Sequence, residues 1–343
     1  MMVKTLTLNQ ALSQLSLPGI DRNLFSSPPW LGVIQKTYGT KIFVKYIEHD
    51  GQITSYILYS VVHNFLEWKI CMCSYCDYCD SYVEHPEDWK LFFEDLRREY
   101  PRYRIAVRTL RDEAARQSGL FQVLSKERFH LLDVRGPLEE IWRRADDSHK
   151  AAVSQAKRKG VVVKICEERE LAKFYQLHLS VRKNKYRIFP QPFSFFKNIW
   201  DAYMPRGAGF LLGAYTPQGD FIGGNIFLVC GDTLYYKFNT SHKDFLTFRP
   251  NNLLFWEGIQ LAKRLGLSFM DLGSSGSEQI GLIRFKEHIG AQPGEIVHLG
   301  FHPSGYKFSQ KRILRFLTTA CTHPFMPDCC VRWGSKFIYH YLA

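Results

Sequence analysis

The sequence predicts a mixed α/β protein built from two tandem modules, and three observations carry that prediction. The order three strands, helix, strand occurs twice, once within residues 41–108 and again within 209–272. With 343 residues, 45% of them hydrophobic, the chain is long enough to bury more than one core. The stretch 248–290 separates by pattern into a helix, a buried strand ending in an acid, and a second helix bearing a lysine. That order places polar groups at the carboxyl edge of a sheet, where α/β folds bind ligands.

In the first module, residues 41–47, 53–60 and 68–73 read as strands. They are rich in β-branched and aromatic side chains and are separated by turn signals such as His49-Asp50-Gly51. A helix over about 86–100 and a strand over 103–108 follow. The connector 138–160 reads as helical, with Arg143, Arg144, Lys150, Lys157, Arg158 and Lys159 outweighing Asp146 and Asp147. Such a run is either a solvated face or a contact for phosphate or RNA.

In the second module, 161–165 reads as a strand, and 168–182 and 193–203 as helices. Strands over 209–215, 221–229 and 233–239 are joined by Pro217-Gln218-Gly219-Asp220 and Gly231-Asp232. After Pro250, a residue the first helical turn tolerates, Leu253, Leu254, Trp256, Ile259, Leu261, Ala262 and Leu265 recur at helical spacing until Gly266 stops the helix. The strand 268–272 then carries Asp271, with Gly273 just beyond it, and a short helix over 280–289 presents Arg284 and Lys286 beside Phe285. The expected domains are therefore 1–136, 137–305 and a basic aromatic tail, 306–343. Two modules in tandem are expected to leave a cleft between them.

A net charge of +12 favours anionic partners: nucleic acid, a phospholipid surface or a phosphate-bearing small molecule. A merely soluble basic surface is the plain alternative. An aromatic content of 15% argues against disorder. Residues 1–30 hold no continuous apolar run of the secretory type, and no run of 18 apolar residues occurs, so a cytoplasmic location is expected. Cys71, Cys73, Cys76 and Cys79 form a CxCxxCxxC run, a pattern that invites zinc or an iron–sulfur cluster. Zinc sites normally pair two knuckles from separate segments, and no matching CxxC occurs elsewhere, so no metal is expected.

The run 249–266 (RPNNLLFWEGIQLAKRLG), then FMDLG at 269–273 and GLIRFKEHIG at 281–290, resembles the carboxyl-terminal half of the Fem family of peptidyltransferases and its acetyltransferase-like relatives with duplicated N-acyltransferase (GNAT) modules. FSSPPWL at 25–31, CDYC at 76–79, HLLD at 130–133 and the run 151–163 agree with it, so the resemblance spans about 25–300. It implies two tandem GNAT-like modules and an N-acyltransferase, with no tightly bound cofactor. The donor is aminoacyl-tRNA, as in Fem enzymes, or acyl-CoA, as expected for distant relatives. The acceptor is an amine, in Fem enzymes that of a peptidoglycan precursor. Such an enzyme works in the cytoplasm or at the inner face of the membrane.

In this reaction an amine attacks an ester or thioester carbonyl, so the site must align two substrates and stabilise a developing oxyanion. Lys286 stands where the family has the lysine of its FK motif; as a cation it faces the oxyanion or a phosphate, or it is an ordinary exposed lysine on a short helix. Asp271 either takes or orients the proton of the attacking amine, or caps the loop at Gly273. Arg249 precedes a helix whose first amides favour anions; it holds a phosphate or packs across the cleft. Asn251, a cap residue or a ligand, and Arg284 complete this end of the candidate set. Tyr235 and Tyr236 occupy adjacent strand positions, so they face opposite sides of the sheet. Arg182, Lys183, Lys185 and Arg187 form a basic loop, either solvated or a seat for a phosphate-bearing acceptor.

The tail has an amphipathic stretch at 309–320 that packs on its own domain or rests on an anionic membrane. No GxSxG, Walker, HExxH or GxGxxG motif occurs, nor the QxxGxG/A loop of ordinary CoA-dependent N-acetyltransferases. The helical arm that some Fem enzymes insert in the second domain has no room within 161–300. The leading expectation is an N-acyltransferase. The alternative is a non-catalytic RNA- or anionic-lipid-binding protein that has kept the fold.

Overall fold

The computed structural model describes residues 2–64, 67–72, 74–304, 318–319 and 321–339. They divide into two compact units. The first comprises the described residues up to 127 together with 295–304, and the second comprises 128–294 with those of 318–339.

The first unit opens with β1 (Lys4–Thr7), α1 (Leu8–Gln14), α2 (Pro28–Tyr38), β2 (Ile42–His49), β3 (Gln52–His63) and β4 (Trp68–Cys71). There follow β5 (Tyr82–Val83), α3 (Asp88–Glu99), β6 (Arg104–Thr109), α4 (Glu113–Gln117) and β7 (Gln122–Asp133), the last shared with the second unit. Strands β2, β3 and β4 form an antiparallel meander. Helix α3 then crosses over, so that β6 lies parallel to β4. Its apolar stripe, Trp89, Phe92 and Leu96, is fully buried against Ile57, Tyr59 and Ile70 of the sheet. Lys45 is 1% exposed and is held by Asp95 at 2.6 Å, Glu99 at 2.8 Å and the Thr5 hydroxyl at 2.8 Å.

The second unit contains α5 (Leu138–Arg144), α6 (Asp147–Arg158), β8 (Val162–Ile165), α7 (Leu171–Ser180), α8 (Phe193–Tyr203) and β9 (Gly209–Tyr215). It continues with β10 (Phe221–Cys230), β11 (Thr233–Ser241), α9 (Pro250–Arg264), β12 (Phe269–Ser275) and α10 (Ile280–His288). Its strands run in the order β7-β12-β11-β10-β9-β8. All neighbours are antiparallel except β11 and β12, which α9 links by a crossover. Helix α9 buries Leu253, Leu254, Ile259 and Ala262 in a core shared with Leu212, Ile222, Phe227 and Met270. It sits close to the sheet at Gly258, where a Cβ would stand 2.6 Å from Phe227 Cζ. Then β13 (Gln292–Phe301) pairs through 297–301 with β6, and α11 (Asp328–Ile338) is the last helix described.

The strand–helix–strand repeat is thus present in both units. Several boundaries differ from the sequence expectation for local reasons. The connector is two helices, because Ala145 is extended (ψ 145°) and Asp146 restarts the chain by accepting the Ser148 amide. The expected helix 168–182 is a 3-10 turn at Glu168–Glu170, α7, and a wide π-helical turn at Val181–Tyr186. Of the stretch 309–320, only 318 and 319 are described, and Cys73 lies outside the described residues.

Candidate functional site

Strands β11 and β12 run parallel for three residue pairs only: Thr233–Phe269, Leu234–Met270 and Tyr235–Asp271. Beyond Tyr235, β11 continues along β10 to Ser241, whereas β12 follows β7 with its register broken between Asp271 and Ser274. The two strands therefore part at their carboxyl ends, the place where open α/β sheets take ligands. At the break Gly273 has φ +69°, a conformation suited to glycine.

Asp271 and Lys286 hold this break. Asp271 is 3% exposed, and its Oδ1 accepts the Gly273 amide at 2.7 Å. Lys286 is 1% exposed; its Nζ donates to the carbonyl oxygens of Gly273 and Ser274, both at 2.9 Å, and so ties α10 to the end of β12. The sequence reading had Lys286 facing an oxyanion or a phosphate; in the structure its ammonium makes these two bonds to backbone carbonyls. On the neighbouring β7, His130 is fully buried, and burial together with the Lys286 charge pushes its pKa down to about 4.

A cavity of about 530 Å³ opens between α6, the start of α9 and α10. Arg249, Arg284 and His288 are exposed residues lining it, with His149, Gln155 and Asn252. Among the described residues lining it there is no carboxylate. Helix α9 starts from Arg249, which has φ +56° and makes no side-chain cap, while Pro250 at the first position has no amide to offer. The amides that follow, reinforced by a helix of fifteen residues, favour an anion. Arg249 Nε donates to Gln155 Oε1 at 3.2 Å, which steers the guanidinium along the wall. The Asp146 amide donates to the His288 carbonyl at 2.8 Å and joins α6 to α10.

His149 is 2% exposed, with Nδ1 3.1 Å from Asn252 Nδ2. The amide nitrogen can only donate, so Nδ1 accepts and Nε2 carries the proton. Burial, with His288 nearby, pushes this imidazole down to about 4, so it is neutral near pH 7. Among the described residues its Nε2 has no hydrogen-bond partner.

Of the residues read from the sequence, the structure brings Arg249 and Arg284 together in this cavity and Asp271 and Lys286 together at the β12 break. Asn251 turns to the sheet: its Oδ1 accepts from Asn239 at 3.0 Å and its Nδ2 donates to Ser241 Oγ at 3.4 Å. Tyr235 is buried opposite Asp271. The Tyr236 ring packs 4.5 Å from that of Phe255 on α9, and burial raises its pKa. Arg182 and Lys185 are not among the cavity residues; they stand over the Tyr186 ring at 5.9 and 5.2 Å. Sequence reasoning missed His149, Gln155 and His288, and weighed Asn252 only as a cap residue or a ligand. Ser148, Ala152 and Gln155 do recur at helical spacing, but the lysines and arginines around them dominate the pattern. Cys71, Cys76 and Cys79 are buried, and among the described residues no group of three or more His, Cys, Asp or Glu is placed to hold a metal ion. No helix among the described residues is long and apolar enough to cross a membrane.

Residues 143–287 match the acetyltransferase (GNAT) domain family. Among solved structures the chain is similar to a crystal structure of FemX, at 14% identity over 93% of this chain and 100% of that one, with a TM-score of 0.67. It is also similar to a tandem GNAT protein from the clavulanic acid biosynthesis pathway, at 10% identity over 89% and 100%, TM-score 0.56. The C-terminal domain of a putative lysylphosphatidylglycerol synthetase from Agrobacterium fabrum aligns at 11% identity over 84% and 90%, TM-score 0.52. No curated protein matches. These likenesses give the fold, two GNAT modules in tandem.

Proposed function

We propose that this GNAT-fold acyltransferase moves an acyl or aminoacyl group from an anionic activated donor, acyl-CoA or aminoacyl-tRNA, to an amine acceptor. The observation that carries the reading is the cavity at the start of α9, lined by Arg249, Arg284 and the first turn of a long helix, with no carboxylate among the described residues lining it. Both donors carry phosphates, beside the ester in aminoacyl-tRNA and at the far end of the pantetheine arm in acyl-CoA, and that cavity is the seat assigned to them. The amine nitrogen attacks the carbonyl carbon. A C–N bond forms, the C–O or C–S bond breaks, and the departing hydroxyl or thiol takes the proton that the amine gives up.

The parting of β11 and β12 gives the acyl group a place beside backbone groups no longer used by the sheet. Asp271 and Lys286 are positioning residues in this account: they fix the amide and carbonyls of the break. An acceptor drawn from the cell-envelope precursors, handled in the cytoplasm or at the inner membrane face, is supported by the Fem resemblance and by likeness to a protein named for making lysylphosphatidylglycerol.

The test is transfer of label to a pool of amine acceptors from labelled acyl-CoA or from labelled aminoacyl-tRNA, each with and without ribonuclease. Ribonuclease-sensitive transfer identifies the tRNA donor, and insensitive transfer from the thioester identifies CoA. Absence of transfer from both would overturn the proposal.

A further inference from the structure

Helix α11 has two faces. Val331 and Ser335 are fully buried, and Gly334 lies against Phe189, where a Cβ would come 2.8 Å from the ring. Cys329, Arg332, Trp333 and Lys336, spaced i, i+3, i+4 and i+7, are all exposed and so make one outward stripe. Trp333 is 68% exposed, and Phe325, just ahead of the helix, is 91% exposed.

The helix is anchored beside the basic turn that the cavity does not use. Asp328 accepts from Lys183 Nζ at 2.8 Å, Arg187 Nη1 reaches the Thr322 carbonyl at 3.4 Å, and the Arg332 guanidinium lies 5.6 Å from the Tyr175 ring. Arg182 and Lys185 stand over Tyr186 on that turn, and Tyr186 is itself 48% exposed. Asp328 is neutralised by Lys183, which leaves the arginines and lysines of this face in excess. An exposed tryptophan and phenylalanine, with Arg332 and Lys336 on the same helix stripe and Lys185 on the adjoining turn also exposed, match a helix that lies in the headgroup layer of an anionic bilayer. A nucleic acid calls instead for rings laid as platforms along a groove; here Trp333 stands on the outer side of a helix and Phe325 just ahead of it.

We propose that this face of the second unit docks on an anionic phospholipid surface, with Phe325 and Trp333 entering the acyl boundary and Arg182, Lys185, Arg332 and Lys336 meeting lipid phosphates. The docking stands independently of the donor and acceptor assigned above.

The test is flotation of the full chain with vesicles of phosphatidylcholine alone or with about one third phosphatidylglycerol, at low and high salt. The wild type is expected to float with the anionic vesicles, more weakly in high salt, and to stay with the soluble fraction on neutral ones. Each reversal in R332E/K336E changes the charge by two units and should lower partitioning by about thirtyfold. F325S/W333S should also lose it, with circular dichroism unchanged, since both side chains are largely exposed. The fluorescence difference between wild type and W333F should blue-shift on the anionic vesicles. Equal flotation on both vesicle types, full flotation of F325S/W333S, or an unshifted Trp333 signal would overturn the proposal. So would binding to single-stranded RNA that R332E/K336E loses and F325S/W333S keeps, because it would assign the face to nucleic acid.

Discussion

Replacing Lys286 with methionine separates a positioning role from a catalytic one. The substitution removes an ammonium that donates to the Gly273 and Ser274 carbonyls, both at 2.9 Å, from a site 1% exposed. Charge-assisted bonds contribute about 1.5–3 kcal/mol each, and losing both leaves two buried acceptors unsatisfied. The desolvation cost of the buried ammonium is recovered at the same time, so the net loss is on the order of 2–4 kcal/mol. With a urea dependence of about 2 kcal/mol per M for a unit of this size, the unfolding midpoint should fall by about 1–2 M. Transfer by the folded fraction should drop by about tenfold, as expected when the end of β12 shifts without loss of a reacting group. An unchanged midpoint together with abolished transfer would refute this reasoning and return Lys286 to direct contact with the reacting atoms.

In the first unit, K45M removes a buried cation from Asp95, which keeps Arg98, and from the 44% exposed Glu99; with that exposure discounted the loss should be about 1–2 kcal/mol, read from the urea midpoint. G258V drives a branched side chain into Phe227, whose Cζ would stand 2.6 Å from the Cβ, and should destabilise the second unit by at least about 2 kcal/mol in thermal unfolding. The imidazoles of His130 and His149 are pushed down to about 4, and that of His178 to about 3, chiefly by burial. The unfolded chain therefore binds more protons than the folded one below about pH 6.5, so stability is full above that pH and falls as pH drops towards 4. H149Q should reduce the steepness of that fall by about one proton in urea titrations at stepped pH.

The two meanders, their crossover helices and the strand that follows each were legible because their hydrophobic periods are clean. Helix α9 keeps a continuous apolar stripe from Leu253 to Ala262. Strand β7 was missed because its first residues, 122–126, are all exposed and carry no alternation, so burial begins only near Phe129. The break at Ala145 contains neither glycine nor proline, and the Asp146 cap that marks it was counted as charge. At the site, Arg249 and Arg284 could be found as cations near a helix start. His149 could not, because its tautomer and its neutrality come from Asn252 and from burial, which join residues about a hundred positions apart. Lys286 is the opposite case: the motif was visible, but its bond to the Gly273 carbonyl was not, since a lysine on a short helix looks exposed until that carbonyl is placed beneath it.

The most direct test of the cavity as the donor seat is the affinity of acyl-CoA and of aminoacyl-tRNA for the wild type, R249A, R284A and the double variant, across a salt series. The account predicts that the true donor binds at least about tenfold more weakly to each single variant, with a shallower salt dependence in the double one. Affinity and salt slope unchanged in all three variants, in proteins that fold normally, would contradict it.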